Sequence, residues 1–352
     1  MAKTSSLMMD SCYRGMDKKM SLRHTVAKLI GYGNALRLKY SFRKLKPSEI
    51  IVDIAASCNA KCPFCPRVYM PEERAKGYMS MELFEATLVE AKRNGIRRLR
   101  LYSTAEPTLH PQFDAIIALA KAMEFHIAVS TNASFLEKHM DALMQVDILQ
   151  YSIEGWDQES YEKYRYPLKY DKVRSNIEMF HLARQKAGRR PQVVTNLLIT
   201  RETKLGAYFE RWAEFVDHIN IHFMLEAVVY EEGKFVSKRS EELTGEYFEF
   251  YPQTEDFICG YPFNVLTVAF DGKIALCCND FSASMSLGHI SEGIDKVFNS
   301  EALNAVRREF YSQKLDVCAG CSIFKQPKAE DVKAVQEMIA TLESPYREKA
   351  IF

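Results

Sequence analysis

Nine cysteines are spread unevenly over 352 residues. Three of them stand in one C-x3-C-x2-C segment, Ser57-Cys58-Asn59-Ala60-Lys61-Cys62-Pro63-Phe64-Cys65-Pro66-Arg67. Soft thiolates this close together suit iron–sulfur chemistry. A [4Fe–4S] cube has four irons, so Cys58, Cys62 and Cys65 leave one iron open to a ligand from outside the chain. The alternative is zinc, which lacks a fourth protein ligand here unless a His or a remote Cys joins.

A second group comprises Cys259, Cys277, Cys278, Cys318 and Cys321, and Cys12 stands alone. Cys318-Ala319-Gly320-Cys321 is a C-x2-C pair, and with two more cysteines it fits tetrahedral zinc as well as a cluster. Side chains alternate along a strand, so Cys277 and Cys278 face opposite ways and only one of them ligates. Either can be the ligand, with the spacing from Gly272 favouring Cys277; Cys278 is otherwise a small buried apolar residue or a catalytic hydrogen-atom donor.

A ligand loop needs a rigid element behind it. Ile50–Ala56 reads as a strand that runs straight into the first cysteine segment. Arg98–Tyr102, Ile127–Thr131, Ile148–Ile153, Val193–Ile199 and Ile219–Phe223 read as five more. Between them apolar residues recur at helical spacing, as at Met81, Leu83, Phe84, Thr87, Leu88 and Ala91, with Ser80 as N-cap and Gly95 as stop. Phe113, Ile116, Ile117 and Ala120 do the same after Pro111. Such repetition predicts right-handed crossovers and a parallel sheet. The fold class is α/β, a partial (β/α)6 TIM-like barrel, with sites at the C-terminal strand ends.

Beyond residue 230 the pattern changes. Glu231–Lys234 and Lys238–Glu242 read as polar linkers. Val265–Phe270 and Lys273–Cys278, joined by Asp271-Gly272, read as a β-hairpin. One helix is expected over Ile294–Tyr311, and a charged amphipathic helix over most of the tail from Lys325. The expected organisation is a basic helical extension over 1–48, the partial barrel over 49–230, a small α+β domain over 231–325 and a C-terminal helix over 326–352.

The motifs, taken in this order, resemble the radical S-adenosylmethionine (SAM) superfamily over about residues 49–225. The resemblance implies that the first cluster's open iron is chelated by SAM, and that one electron splits SAM to a 5′-deoxyadenosyl radical. Ser103-Thr104-Ala105-Glu106-Pro107 is similar to the family's Gly-Gly-Glu-Pro loop, which places Thr104 and Glu106 at the methionine end of SAM. Thr104 and Ala105 replace glycines and stiffen the backbone. Ser130-Thr131-Asn132-Ala133 is similar to the family's Ser-Thr-Asn-Gly and adds Ser130 and Asn132. Ser152-Ile153-Glu154-Gly155, followed by Tyr161 to Arg165, resembles a segment whose Ser152 would contact the ribose and whose Arg165 would reach the carboxylate; an Arg fork suits that partner. By the same resemblance the Phe64 backbone lies near the adenine and Leu198 packs on it. The spacing from Gly272 to Cys277 and the C-x2-C pair resemble the SPASM/twitch extension. That implies one auxiliary [4Fe–4S] cluster on Cys259, Cys277, Cys318 and Cys321.

Bulk composition narrows the partners. Formal net charge is +1, so no polyelectrolyte signature for nucleic acid exists. Residues 1–48 are basic, with eleven Lys or Arg against Asp10 and Asp17; the readings are a helix packed on the barrel or peripheral contact with an anionic membrane. No secretory signal is recognised, so the expected setting is the reducing cytoplasm, where clustered cysteines are metal ligands or catalytic groups. The substrate class is a small polar molecule such as a sugar, aminocyclitol or nucleoside-like compound, and the electron donor a flavodoxin- or ferredoxin-like protein. The leading chemistry is oxidation with the auxiliary cluster as electron acceptor, as in twitch-bearing aminocyclitol dehydrogenases by resemblance. Epimerisation through Cys278, peptide modification, and a zinc-binding scaffold are the alternatives. Glu226 and His222, near the sixth strand's end, are further candidates to face the pocket.

Overall fold

The apolar runs after residue 48 form parallel strands in a computed structural model that describes residues 44–103, 105–188, 190–252, 259–285, 287–312, 318, 321 and 325–352. Thr104 and residues 1–43, which make up nearly all of the basic extension, lie outside these described residues. The first six strands are β1 (Glu49–Val52), β2 (Arg98–Leu101), β3 (His126–Thr131), β4 (Ile148–Tyr151), β5 (Gln192–Ile199) and β6 (His218–Phe223). They pair in sequence order, all parallel. The helices that cross between them include α1 (Met81–Arg93), α2 (Phe113–Ala122), α3 (Met140–Leu143), α4 (Gln158–Tyr164), α5 (Tyr170–Lys186) and α6 (Leu205–Trp212).

Helix α1 illustrates the local logic. The Ser80 side chain accepts from Leu83 N at 3.2 Å and caps it. Phe84, Thr87, Leu88 and Ala91 fall on one face and are buried. Gly95 turns the chain at φ +80 into β2.

The sheet is wider than six strands. A hairpin, β7 (Ala227–Glu231) and β8 (Lys234–Lys238), leaves β6, and β9 (Phe250–Pro252) follows. Its turn residues Glu232 and Gly233 both have positive φ, at 50° and 83°, the geometry of a tight two-residue hairpin turn. The polar stretch expected as linker is therefore a folded hairpin. After α7 (Tyr261–Asn264), β10 (Val265–Val268) and β11 (Ile274–Ala275) form the hairpin expected at Asp271-Gly272. Gly272, at φ +85, is required there: a Cβ would meet His289 Nε2 at 2.3 Å.

Strand β10 pairs in parallel with β1, so this hairpin extends the sheet beside the first cysteine loop. The helix expected over Ile294–Tyr311 is two, α8 (Ile294–Phe298) and α9 (Glu301–Ser312). They break because the Asn299 side chain turns aside to bond Leu45 N at 2.9 Å and Leu45 O at 3.1 Å, while Ser300 Oγ caps α9 through Leu303 N. The tail is not only helix. It holds β12 (Lys325–Pro327), paired with β9, then α10 (Ala329–Ala340), α11 (Ser344–Arg347) and β13 (Ala350–Ile351), which adds in parallel to β6. The final strand order is β11-β10-β1-β2-β3-β4-β5-β6-β13. Among the described residues no helix is long and apolar enough to cross a membrane.

Candidate active site

Strand ends bring the expected residues to one place. The loop after β1 carries Cys58, Cys62 and Cys65. The ends of β2, β3 and β4 carry Glu106, Ser130, Asn132 and Ser152, and the C-terminus of α4 carries Arg165. All of these line a single cavity of about 580 Å³, joined by Lys61, Arg67, Tyr102 and Gln150.

Hydrogen bonds lock the walls. Glu106 is 2% exposed and accepts four of them. Thr108 N (3.2 Å), Thr108 Oγ1 (2.5 Å) and Thr131 Oγ1 (2.7 Å) bond Oε1, and Asn132 N (2.7 Å) bonds Oε2. Burial raises its pKa, against the pull of these donors. It thus ties the β2 loop to the β3 loop as well as facing the cavity. The Asn132 side chain donates to Asn59 Oδ1 at 2.8 Å, which fastens the cysteine loop to β3. Ala133, where the family has glycine, sits at φ +64. Ser130 Oγ and Ser152 Oγ lie 3.0 Å apart. Gly155, at φ +93, admits no side chain because a Cβ would stand 2.3 Å from Tyr161 N.

Arg165 is 8% exposed and pairs with buried Glu154. Its guanidinium also reaches Cys62 Sγ at 3.4 Å and lies over the Phe64 ring at 5.4 Å. Phe64 and Leu198 do not line the cavity. They share a neighbouring apolar cluster with Tyr164, Met224, Leu243 and Tyr247.

Burial pushes the Cys58 thiol up to about 11, aided by the Glu106 carboxylate, and Cys65 up to about 12. Cys62 is also raised by burial, with Arg165 opposing. Burial thus disfavours the free thiolates, and a bound cationic centre such as an iron cluster would favour them. Among the described residues no three acidic, His or Cys side chains close into a single-ion site.

The second cysteine group also assembles. Burial and the neighbouring Cys278, Cys321 and Cys259 raise the Cys277 thiol well above its ordinary value. Burial, Cys321 and Cys259 raise Cys318. Asn279 Nδ2 lies 3.6 Å from Cys321 Sγ. The expected strand over Lys273–Cys278 stops at Ala275, so Cys277 and Cys278 stand in the turn beyond it and strand alternation does not sort them; the Cys278 thiol bonds the Tyr261 side chain and senses Cys259 and Arg100, and neither cysteine lines the cavity.

Two sequence candidates turn out to be committed elsewhere. Glu226 is ion-paired with Arg239 at 2.7 Å and Lys325 at 2.8 Å. His222 is not on the cavity lining, and burial lowers its pKa to about 4. Gln150 was not singled out from the sequence. A lone Gln in the apolar strand Ile148–Tyr151 was the available signal.

The sequence model of the radical SAM superfamily matches residues 52–221. That of an iron–sulfur cluster-binding domain, SPASM, matches residues 259–322. The chain belongs to the radical SAM superfamily. Its cofactors as a radical SAM protein with a SPASM domain are SAM and [4Fe–4S] clusters. Over 109 residues it is 27% identical to the tungsten-containing aldehyde ferredoxin oxidoreductase cofactor-modifying protein of Pyrococcus furiosus, which is 30% of each chain. The chain thus spans about a third of the length of the curated relatives it matches. The crystal structure of BtrN in complex with AdoMet and 2-DOIA is similar at TM-score 0.50 and 16% identity, covering 77% of this chain and 91% of that one. Streptococcus suis SuiB bound to precursor peptide SuiA is similar at TM-score 0.58 and 12% identity, covering 96% and 82%. At such identities the likeness to the other radical SAM structures is one of fold.

Proposed function

We propose that this chain is a radical SAM oxidoreductase acting on a small polar substrate. The observation that carries the reading is the contrast between two thiol groups. Cys58, Cys62 and Cys65 open on a cavity, whereas Cys259, Cys277, Cys318 and Cys321 gather from separate segments away from it. When bound, the clusters and SAM supply a 5′-deoxyadenosyl radical at the first group and a one-electron acceptor at the second.

The chain's own residues hold and shape the site. Cys58, Cys62 and Cys65 ligate the first cluster; Cys259, Cys277, Cys318 and Cys321 ligate the second. Glu106, Ser130, Asn132 and Ser152 present polar atoms along the cavity wall toward SAM, and Arg165 lies where a carboxylate can be gripped. Phe64 and Leu198 form the apolar shoulder next to it. A cavity of about 580 Å³ has the size of small-molecule sites. BtrN is captured with the small molecules AdoMet and 2-DOIA, and SuiB with a peptide; the first kind of substrate is the one adopted in this reading. The place of Cys278, against Tyr261 and off the cavity lining, speaks for oxidation over epimerisation. A flavodoxin- or ferredoxin-like protein would deliver the electron.

The test is anaerobic reconstitution followed by iron counting and a reductive SAM-cleavage assay. About eight irons per chain and release of 5′-deoxyadenosine are expected, from two four-iron clusters. About four irons would remove the second cluster, and a chain without SAM cleavage would overturn the reading.

A further inference from the structure

The unit that follows β4 carries two opposite charges to one place. Glu154 comes just after the strand. Gly155, at φ +93, turns the chain, and Asp157 caps α4 by accepting from Ser160 N at 2.9 Å. Helix α4 runs for about two turns and ends at its C-cap, Arg165. That length returns the guanidinium to Glu154, and the two form an ion pair. The residue after Arg165 holds the first cysteine loop: Lys61 N donates to Tyr166 O at 2.6 Å. Cys62 therefore lies against the guanidinium, and Arg165 Nη1 donates to Cys62 Sγ at 3.4 Å.

The guanidinium is already engaged by the protein. Nη2 serves Glu154, Nη1 serves Cys62, and Nε has no hydrogen-bond partner. The fork that a carboxylate would grip with two nitrogens is thus shared in advance with a sulfur and a buried carboxylate. Arg165 is 8% exposed and Glu154 2%, so water screens their charges little. The cation reaches beyond Cys62, since it favours the thiolate of Cys65 as well, against the burial that disfavours both.

We infer that Arg165, held by Glu154, is a positioning residue that acts through the Cys62 sulfur to set the reduction potential of the cluster on Cys58, Cys62 and Cys65. A reduced cluster with its thiolates carries one more negative charge than the oxidised one. An N–H bond to a ligand sulfur and a nearby buried cation favour that more negative state and raise the potential. Glu154 offsets part of the guanidinium's charge and lowers it again. The pair therefore sets the potential from both sides. The inference rests on the proposed ligand set of the first cluster and adds a role for Arg165 that gripping SAM does not include.

The test is a potentiometric titration of the anaerobically reconstituted full chain without SAM, followed by electron paramagnetic resonance. The first cluster's signal is recognised as the one that added SAM perturbs. Arg165→Lys keeps a cation for Glu154 and loses the guanidinium N–H on the sulfur, so its potential is expected below that of the unsubstituted protein. Glu154→Gln leaves the guanidinium uncompensated at almost unchanged side-chain volume, so its potential is expected above. Opposite shifts from two neighbouring residues are a signature that a general loosening of the packing does not give. Unchanged potentials, or shifts of the same sign, would overturn the inference. So would an Arg165→Lys protein that loses SAM affinity at an unaltered potential, since Arg165 would then serve SAM alone. Each variant decides by itself where the other takes up no iron. An unsubstituted chain that assembles no SAM-responsive cluster counts against the functional reading, whereas such a cluster with unshifted potentials counts against this inference alone.

Discussion

The two cysteine groups are built in opposite ways. Cys58, Cys62 and Cys65 come from one eight-residue loop, at a strand's C-terminal end, and face a cavity. Cys259, Cys277, Cys318 and Cys321 come from distant positions, and Cys259, Cys318 and Cys321 are buried. A loop from one strand can offer three ligands and leave one iron face clear. Four ligands converging from separate segments leave none. In the proposed function the difference separates a site for chemistry from a site for electrons, and it is open to attack by substitution.

The largest effect is expected at the thiols themselves. Cys62→Ala should abolish 5′-deoxyadenosine release, whereas Cys318→Ala should retain SAM cleavage and lose substrate turnover; product chromatography reads both. Equal loss in the two variants would erase the distinction. Next comes the ion pair that adjoins the first group. Arg165→Met leaves Glu154 buried and unpaired, at a cost of about 3–5 kcal/mol, visible as a lower denaturation midpoint.

A smaller effect concerns Asp53, at the end of β1. Burial raises its carboxyl pKa from 3.8 to about 7, against the pull of Ser103, Arg74 and Arg67. The folded state therefore holds a proton that the unfolded state has released, and Asp53's contribution to stability is present at low pH and lost as pH rises through about 7. Asp53→Asn should flatten that fall in a pH series of urea denaturation; an unchanged slope would exclude Asp53 as its source. The smallest effect is at Ala133, held at φ +64. Ala133→Gly should stabilise the chain by about 1 kcal/mol, read as a small rise in Tm.

Much of this was legible in the sequence because it is local. The C-x3-C-x2-C spacing, the order of motifs at strand ends, the Ser80 cap and the Asp271-Gly272 turn all depend on residues within a few positions of one another. What was not legible depends on distant partners. Arg100, on β2, is buried against Glu49 at 2.6 Å and donates to Tyr102 OH at 2.6 Å, a pairing that only the β1–β2 register creates. The internal bonds of Glu106 require the β2 and β3 loops to meet. The hairpin at Glu232-Gly233 was hidden by its charged flanks, and β13 by its brevity. Gln150 declares itself only once three strands lie side by side.

The pairing of β10 with β1 has a consequence for the order of events during synthesis. Glu49 meets Val265, Ile50 meets Leu266, and Val52 meets Val268. When the ribosome has made the first cysteine loop and the six strands around it, one flank of β1 still lacks its neighbour. The edge it presents is a run of four apolar or buried residues, Glu49–Val52, of the kind that recruits foreign strands. Closing this contact late, across so long a loop, is slow by its topology. The nascent chain therefore passes through an interval in which the loop that is to receive iron has folded on one side only, and loading the cluster before that interval ends would cross-link the loop while its supporting strand still had an open edge.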